Sequence, residues 1–238
     1  DPPRPLLDAL AHGFCSVEAE VFLDDGELLV GHSRSELTAD RTLAALDLDP
    51  PFERVRQHGG RVFEDGPVVM LLIDVKTDGE QTYPVLDRLL AKYEEMLTSV
   101  VDGRVHEKAV TVVISGNRSW RLIEGDSTRF AGVDGRLSDL VSDRPEHLMP
   151  LISDHWRNAF EWSGKGPMPD GERARLQRIL ETGHAAGRRI RFWATPEHPS
   201  AQRTAVWTEL LEAGVDLIGT DDLSGLQAFL LSMDERYR

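Results

Sequence analysis

Hydrophobic and charged residues alternate along Ser16–His32, and this alternation predicts a strand with two carboxylates on one face. In SVEAEVFLDDGELLVGH every second residue from Val17 to Leu23 is apolar, and Glu18 and Glu20 lie between them. Because side chains of a strand alternate between its two faces, both carboxylates project in the same direction. Like charges so close together repel, and a hard divalent cation is a natural partner for them.

A second apolar run, VVMLLIDVK at Val68–Lys76, ends in one acid and one base. Six apolar residues precede Asp74, and Lys76 follows two positions later. The ammonium of a lysine at the end of a buried strand needs an anion or water beside it. The pattern predicts that Glu18, Glu20 and Asp74 bind one divalent cation next to Lys76. The alternative is that the acids lie on the solvated face of an antiparallel sheet.

Strand and helix patterns alternate about seven times along the chain, which predicts an α/β fold with a parallel sheet. The predicted strands are Ser16–Leu23, Leu28–Val30, Val68–Lys76, Val110–Ser115, Phe130–Val133, Leu148–Ser153, Arg189–Ala194 and Val215–Thr220. The predicted helices are Pro3–His12, Thr38–Leu46, Thr82–Val101, Asp170–Ala186, Ser200–Ala213 and Leu223–Met233, with a loop over Asp47–Gly66.

Polar residues gather at the carboxyl ends of these strands, where a barrel carries its active site. No glycine-rich dinucleotide or phosphate loop follows any strand, so the pattern favours a TIM (β/α)8 barrel over an open doubly wound sheet. A barrel needs eight parallel strands. Without Leu28–Val30, which follows a turn directly after the first predicted strand, the β/α alternation supplies seven, so the first barrel strand is predicted to be missing or truncated. No linker or repeat divides the chain, which predicts one domain over residues 1–238.

Charge and composition narrow the possible partners. The net charge of −14 argues against a nucleic-acid or anionic-membrane surface. No apolar run approaches the ~20 residues of a membrane span, and the single cysteine, Cys15, excludes an internal disulfide. Because the chain begins with Asp1 rather than Met, we expect a processed extracellular protein or a trimmed chain, with a cytoplasmic location left open. We also expect a monomer.

Five blocks of the sequence resemble one enzyme superfamily. The blocks are PLLDALAHGFCSVEAEVFLDDGELLVGH, LLIDVKT, VTVVISGN, RFWATPE and GVDLIGTDDL. Between Pro5 and about Leu223 the chain is similar to the phosphatidylinositol-phospholipase-C-like phosphodiesterases, in the branch near glycerophosphodiester phosphodiesterases and sphingomyelinase D-type enzymes. The resemblance implies a TIM barrel that cleaves a small-molecule or lipid phosphodiester with one Mg²⁺ or Ca²⁺.

The resemblance also implies roles for five residues. Glu18, Glu20 and Asp74 correspond to the metal ligands, and His32, after the hairpin, to one of two catalytic histidines. Lys76 corresponds to a residue that contacts the phosphate, and we count it with His32 as catalytic. From the residues alone, His32 is as readily an ordinary turn histidine.

Two departures from the superfamily pattern affect these expectations. The superfamily has Glu-x-Asp where this chain has Glu20 as the second acid, and the extra methylene moves the carboxylate outward by about 1.5 Å. Its first catalytic histidine precedes a segment like Arg4–Leu10, and nothing in this chain occupies that place. The alternative hypothesis is therefore an inactive barrel that binds metal and a phosphorylated ligand.

Two further residues are candidates for substrate binding. Asn117 follows a buried strand and either contacts substrate or caps the next helix. Trp193 either lines the substrate pocket or belongs to the barrel core. Asp221 and Asp222 are predicted to include the N-cap of the last helix.

Overall fold

The computed structural model describes residues 5–237 of the 238-residue chain. The chain divides into two compact units, and the boundary between them in the sequence lies between Val133 and Asp134. Each unit combines parallel strands with helices, so the fold is mixed α/β, as the alternation predicts. The first two residues of the predicted helix Pro3–His12 lie outside the described residues.

The first unit contains most of the strands. Its elements are α1 (Pro5–Ala11), β1 (Ser16–Asp24), β2 (Glu27–Val30), a 3₁₀ turn (Arg34–Glu36), a π-helical turn (Ala44–Leu48), α2 (Asp49–Gln57), β3 (Val69–Val75), α3 (Gly79–Leu90), a 3₁₀ turn (Ala91–Tyr93), β4 (Ser99–Val101), β5 (Arg104–His106), β6 (Val110–Gly116), α4 (Trp120–Gly125), β7 (Thr128–Arg129) and the start of β8 (Ala131–Gly135). The main sheet has the order β2-β1-β3-β6-β8. All neighbours are parallel except β2, which forms an antiparallel hairpin with β1.

The interior of this sheet follows directly from the sequence. In β3 every residue but Asp74 is buried, and β6 is buried from Val112 to Ser115. Continuous apolar runs of this kind are typical of parallel strands that are covered on both faces. Asp74 thus lies at the end of a strand whose position is fixed by its neighbours.

The second unit continues the β/α alternation. Its elements are the end of β8, a 3₁₀ turn (Leu137–Asp139), β9 (Leu151–His155), α5 (Trp156–Ala159), α6 (Asp170–Ala185), β10 (Arg189–Trp193), α7 (Ala201–Ala213), β11 (Leu217–Ile218) and α8 (Leu223–Tyr237). The strands are parallel in the order β8-β9-β10-β11. The predicted helices α6 and α7 are confirmed, and Ser200 caps α7 by accepting a hydrogen bond from the Arg203 N–H at 3.2 Å.

The predicted parallel strands are all found within residues 5–237: β1, β3, β6, β8, β9, β10 and β11. The closing of the strands into a complete TIM barrel stays a prediction, and so does the assignment of one domain to the whole chain.

The helices of both units are modest in length. The longest described helix, α6, has 16 residues. Across the described part of the chain, none is both long and apolar enough to cross a membrane.

The predicted helix Thr82–Val101 is wrong in its second half. The structure ends α3 at Leu90 and folds the following β-branched residues into a hairpin of β4 and β5. Asp102 and Gly103 make its turn with φ of 48° and 76°. Positive φ at both central residues is the requirement of a type I′ turn, which the Asp-Gly pair meets.

The predicted loop Asp47–Gly66 is wrong in its first half, where α2 forms, and correct after Gln57. Pro50 and Pro51 lie in the first turn of α2, where a missing N–H removes no helical hydrogen bond. The predicted helix Thr38–Leu46 is replaced by the π-helical turn that leads into α2. Pro50 and Pro51 thus mark the start of a helix here, whereas the sequence analysis took them as signs of a loop.

Asp47 is a buried carboxyl in the π-helical turn. Its Oδ2 has no hydrogen-bond partner among the described residues. Loss of solvation raises the pKa of Asp47 to about 7, although the charge of Arg41 opposes this shift. Between about pH 4 and pH 7 the Asp47 carboxyl is therefore protonated in the folded state and ionised in the unfolded state.

We expect Asp47→Asn to remove part of the pH dependence of folding stability. Because the folded pKa is the higher one, the free energy of unfolding of the wild type falls as pH rises from 5 to 8. The variant has no carboxyl to ionise at this position. Its free energy of unfolding, relative to that of the wild type, should therefore rise by about 2 kcal/mol between pH 5 and pH 8. Urea denaturation at pH 5 and pH 8 measures this. The exposed Asp25→Asn variant, with the same change in charge, should follow the wild type.

Candidate functional site

The candidate site in the first unit lies where β2 and β3 end, beside the middle of β1. β1 and β3 are parallel neighbours, and their register places Glu20 opposite Asp74. Val21 and Ile73, beside these acids, are fully buried and hold the two strands in place. The two carboxylates predicted from separate parts of the chain are therefore brought together.

Lys76 joins the two carboxylates. Its Nζ lies 2.6 Å from Oδ2 of Asp74 and 2.7 Å from Oε1 of Glu20. The side chains of Lys76, Glu20 and Asp74 are 29%, 27% and 18% exposed, so these are half-buried charges. Burial disfavours the charged amine, but the hydrogen bonds and charges of Asp74 and Glu20 outweigh it and raise the pKa of Lys76. The lysine is fully protonated at neutral pH.

His32 reaches the same cluster from the end of the β1–β2 hairpin. Its Nδ1 lies 2.8 Å from Oε2 of Glu20, so Glu20 contacts Lys76 with one oxygen and His32 with the other. The imidazole is 81% exposed. With Nδ1 directed at a carboxylate, Nε2 is the nitrogen left to meet a ligand from solvent.

Glu36 holds the loop that carries His32. Its Oε2 accepts the His32 backbone N–H at 2.9 Å, and its Oε1 accepts the Ser33 hydroxyl at 3.0 Å. The hydrogen bond from the His32 backbone and the one from Ser33 lower the pKa of Glu36. The Ser33-x-x-Glu36 spacing, typical of a capping box, was the signal for this loop that our sequence reasoning missed.

Glu18 lies beside the cluster but does not complete it. It occupies the same face of β1 as Glu20, two positions earlier, opposite Leu72 of β3, and its side chain is exposed. Among the side chains that the structure describes, no group of three or more His, Cys, Asp or Glu could hold a metal ion.

The donor set nevertheless suits a cation. Glu20 and Asp74 direct oxygens at one point, and a positive charge, the Lys76 ammonium, lies there. Carboxylate oxygens are the ligands that Mg²⁺ and Ca²⁺ prefer. Two of the three predicted metal ligands therefore converge, and Glu18 as the third stays a prediction.

Gly116 is a residue of the site that the sequence analysis did not single out. It ends β6 with φ of +67°, and a Cβ at this position would lie 2.1 Å from Oδ1 of Asp74 and 2.5 Å from the Val75 carbonyl oxygen. Only glycine leaves room for the Asp74 carboxylate. A glycine directly after the buried run VTVVIS was the available signal.

We expect Gly116→Ala to displace Asp74 and to lower the free energy of unfolding by about 2–4 kcal/mol, from left-handed strain plus a steric clash. Gly103→Ala is the matched control, because Gly103 has φ of +76° and no atom lies within 4 Å of the place where the alanine Cβ would be. It should lose only the strain, about 1–2 kcal/mol. Urea denaturation compares the two, and equal losses would show that Gly116 does not make room for Asp74.

Asn117 lies next to the site but makes structural contacts. Its Nδ2 donates to the carbonyl oxygen of Lys76 at 3.2 Å and its backbone N–H to the carbonyl oxygen of Val75 at 2.8 Å. These bonds tie the end of β6 to the end of β3. The alternative that it caps the next helix is wrong, because Ser119 caps α4. A contact with substrate stays a prediction.

Trp193 ends β10 in the second unit. Its side chain is 40% exposed, so the alternative of a core residue is wrong. The ring packs edge to face against His155 of β9, with 4.6 Å between ring centroids. Its role in substrate binding stays a prediction.

The second unit also contains charged residues at its strand ends. Buried Asp134 accepts hydrogen bonds from Arg136 at 2.5 Å and from Ser153 at 2.7 Å. Asp222 accepts the Gly225 N–H at 3.0 Å, as predicted for the N-cap of the last helix, and pairs with Arg203 at 2.7 Å. These contacts organise the strand ends of this unit.

Comparison with known proteins gives one family match. A family model described as the AIM6-like phosphodiesterase domain matches residues 3–132, just over half of the 238-residue chain. This stretch contains Glu18, Glu20, His32, Asp74 and Lys76.

Curated fungal proteins are similar over nearly the whole chain. Altered inheritance of mitochondria protein 6 homolog of Arthroderma benhamiae is 26% identical, over 93% of this chain and 76% of that protein. Altered inheritance of mitochondria protein 6 of Eremothecium gossypii is 27% identical, over 94% of this chain and 66% of that protein. The protein of that name from Saccharomyces cerevisiae is 26% identical, over 92% and 66%. The chain thus spans about two thirds of the length of these last two relatives.

Proposed function

The chain belongs to the AIM6-like phosphodiesterase family, and from this membership we propose that it is a phosphodiesterase that works with one divalent cation. We propose as substrates glycerophosphodiesters or lysophospholipid-type diesters, the class that the sequence resemblance implies. Closure of the TIM barrel, a monomeric state and an extracellular location stay predictions from the sequence.

One observation carries the proposal: the side chains of Glu20, Asp74, Lys76 and His32 converge where β2 and β3 end beside the middle of β1. A phosphodiester is an anion and resists attack until its charge is neutralised. The cluster supplies two carboxylates for a cation, an ammonium for the phosphate oxygens and an imidazole for proton transfer. Charge neutralisation and proton transfer both promote the cleavage of a phosphodiester.

Glu20 and Asp74 would hold the cation, with Glu18 as the third predicted ligand. When bound, a divalent cation supplies Lewis-acid stabilisation of charge on the phosphoryl oxygens. Either Mg²⁺ or Ca²⁺ suits an all-oxygen ligand set.

His32 is proposed to transfer a proton through Nε2. Glu20 orients the ring by its contact with Nδ1, and Glu36 fixes the backbone that carries it. Because the ring is largely exposed, a substrate can approach Nε2 without a rearrangement of the protein. Lys76 is proposed to supply a positive charge for a non-bridging phosphate oxygen.

A panel of phosphodiesters followed by phosphorus NMR tests the proposal. We expect turnover of at least one glycerophosphodiester or lysophospholipid in Mg²⁺ or Ca²⁺, complete loss in EDTA and recovery when the cation is returned. The spectra also separate an open product from a cyclic phosphate. Turnover that is unaffected by EDTA would contradict the cation, and ligand binding without turnover of any diester would favour the inactive, phosphate-binding alternative.

A further inference from the structure

The Lys76 ammonium lies between the Glu20 and Asp74 carboxylates, where the predicted divalent cation would bind. We propose that Lys76 is a resident counter-ion of this site, and that a divalent cation binds between Glu20 and Asp74 only by displacing its ammonium. This inference rests on the proposed function, because it concerns how the same site is loaded. It assigns Lys76 two successive positions, first on the carboxylates and then toward the phosphate.

The distances leave room for one cation. Nζ lies 2.6 Å and 2.7 Å from an oxygen of each carboxylate. Ca²⁺ binds oxygen at about 2.3–2.6 Å and Mg²⁺ at about 2.0–2.1 Å. A metal ion bound by the same two oxygens would therefore overlap the ammonium, so the two occupants exclude each other.

Electrostatics explains why the ammonium lies there. Glu20 and Asp74 face each other across neighbouring strands and are mostly buried, so their charges need a counter-ion. The side chain of Lys76 makes one contact with each of them. A divalent cation in place of the ammonium brings two positive charges instead of one. The two carboxylates therefore remain neutralised after the exchange.

The backbone allows the exchange. The Lys76 N–H donates to the carbonyl oxygen of Val21 at 2.8 Å, so the main chain is held to β1. The four-carbon side chain is flexible, and 29% of its surface is exposed. Displacement thus requires a rotamer change only. The released ammonium can then pair with the phosphate of a bound substrate.

Cation binding in the absence of substrate tests the inference. Isothermal titration with Ca²⁺ and with Mg²⁺ should give at least tenfold tighter binding to Lys76→Gln than to the wild type, because the competing charge is gone. Lys92→Gln removes the same charge from an exposed position after α3 and should bind as the wild type does. A Lys76→Gln variant that binds no tighter than the wild type would overturn the inference.

Amine labelling of the wild type gives a second test that needs no variant. Reaction with a limiting amine-specific reagent, read by mass spectrometry, should label Lys76 several-fold faster in Ca²⁺ or Mg²⁺ than in EDTA, whereas the labelling of Lys92 should not change. Equal labelling of Lys76 in both conditions would overturn the inference.

The two proposals fail in different ways. Suppose that the wild type cleaves a diester only with a cation, but that the labelling rate of Lys76 is the same with and without the cation. This result would overturn the displacement of Lys76 and would still support the proposed function. A protein that cleaves no diester, but whose Lys76→Gln variant binds Ca²⁺ more tightly, supports the displacement and overturns the function.

Discussion

Replacing Glu20 with Gln should lower kcat/KM for the best diester by about a thousandfold. Glu20 is the residue that contacts both Lys76 and His32, with distances of 2.7 Å and 2.8 Å, and it is a predicted metal ligand. The amide keeps the size of the side chain but loses its charge, so cation binding and imidazole orientation should suffer together. Steady-state kinetics at saturating Mg²⁺ or Ca²⁺ measures the loss.

Glu27→Gln is the control for this variant. Glu27 is exposed at the start of β2, in the same hairpin, and its replacement removes the same charge. Its activity should stay within about twofold of the wild type, since an exposed charge outside the cluster contributes little. A Glu20→Gln variant as active as Glu27→Gln would contradict the role assigned to Glu20.

Replacing His32 with Ala should lower kcat by about a hundredfold to ten-thousandfold, the usual contribution of a general acid or base. Cation binding should change little by comparison, because His32 is not a predicted ligand. The imidazole is 81% exposed, so free imidazole added to the assay can enter the space and should restore part of the activity.

His106→Ala is the matched control, because His106 is exposed on the hairpin of β4 and β5. It should keep full activity and should not respond to imidazole. A His32→Ala variant with wild-type kcat would show that His32 is an ordinary turn histidine, the alternative that the residues alone left open.

The strand part of the fold was predictable because it depends on short-range patterns. Period-two alternation in β1 and a continuous apolar run in β3 indicated both strands, and the Glu20–Asp74 register follows when they pair in parallel. The convergence of these acids with Lys76 could therefore be predicted from the residues. The hairpin of β4 and β5 was missed because its apolar residues also fit one face of a longer helix.

The contacts of side chains in the site were not predictable. Nothing in the sequence indicates that Glu20 divides its two oxygens between Lys76 and His32, since both contacts depend on how the hairpin loop packs. The sequence marks Gly116 as the residue after a buried strand, but the need for a glycine there depends on the pairing of β6 with β3, which brings Asp74 close. Glu18 meets the spacing rule and lies on the same face of β1, two residues before Glu20, and its role as a metal ligand stays a prediction.

The central claim is that Glu20 and Asp74 form a site for one divalent cation. Isothermal titration of the wild type and of the Glu20→Gln/Asp74→Asn double variant with Mg²⁺ and Ca²⁺ tests it most directly. We predict that the wild type binds one cation per chain and that the double variant binds it at least tenfold more weakly. Equal binding by both proteins would contradict the account.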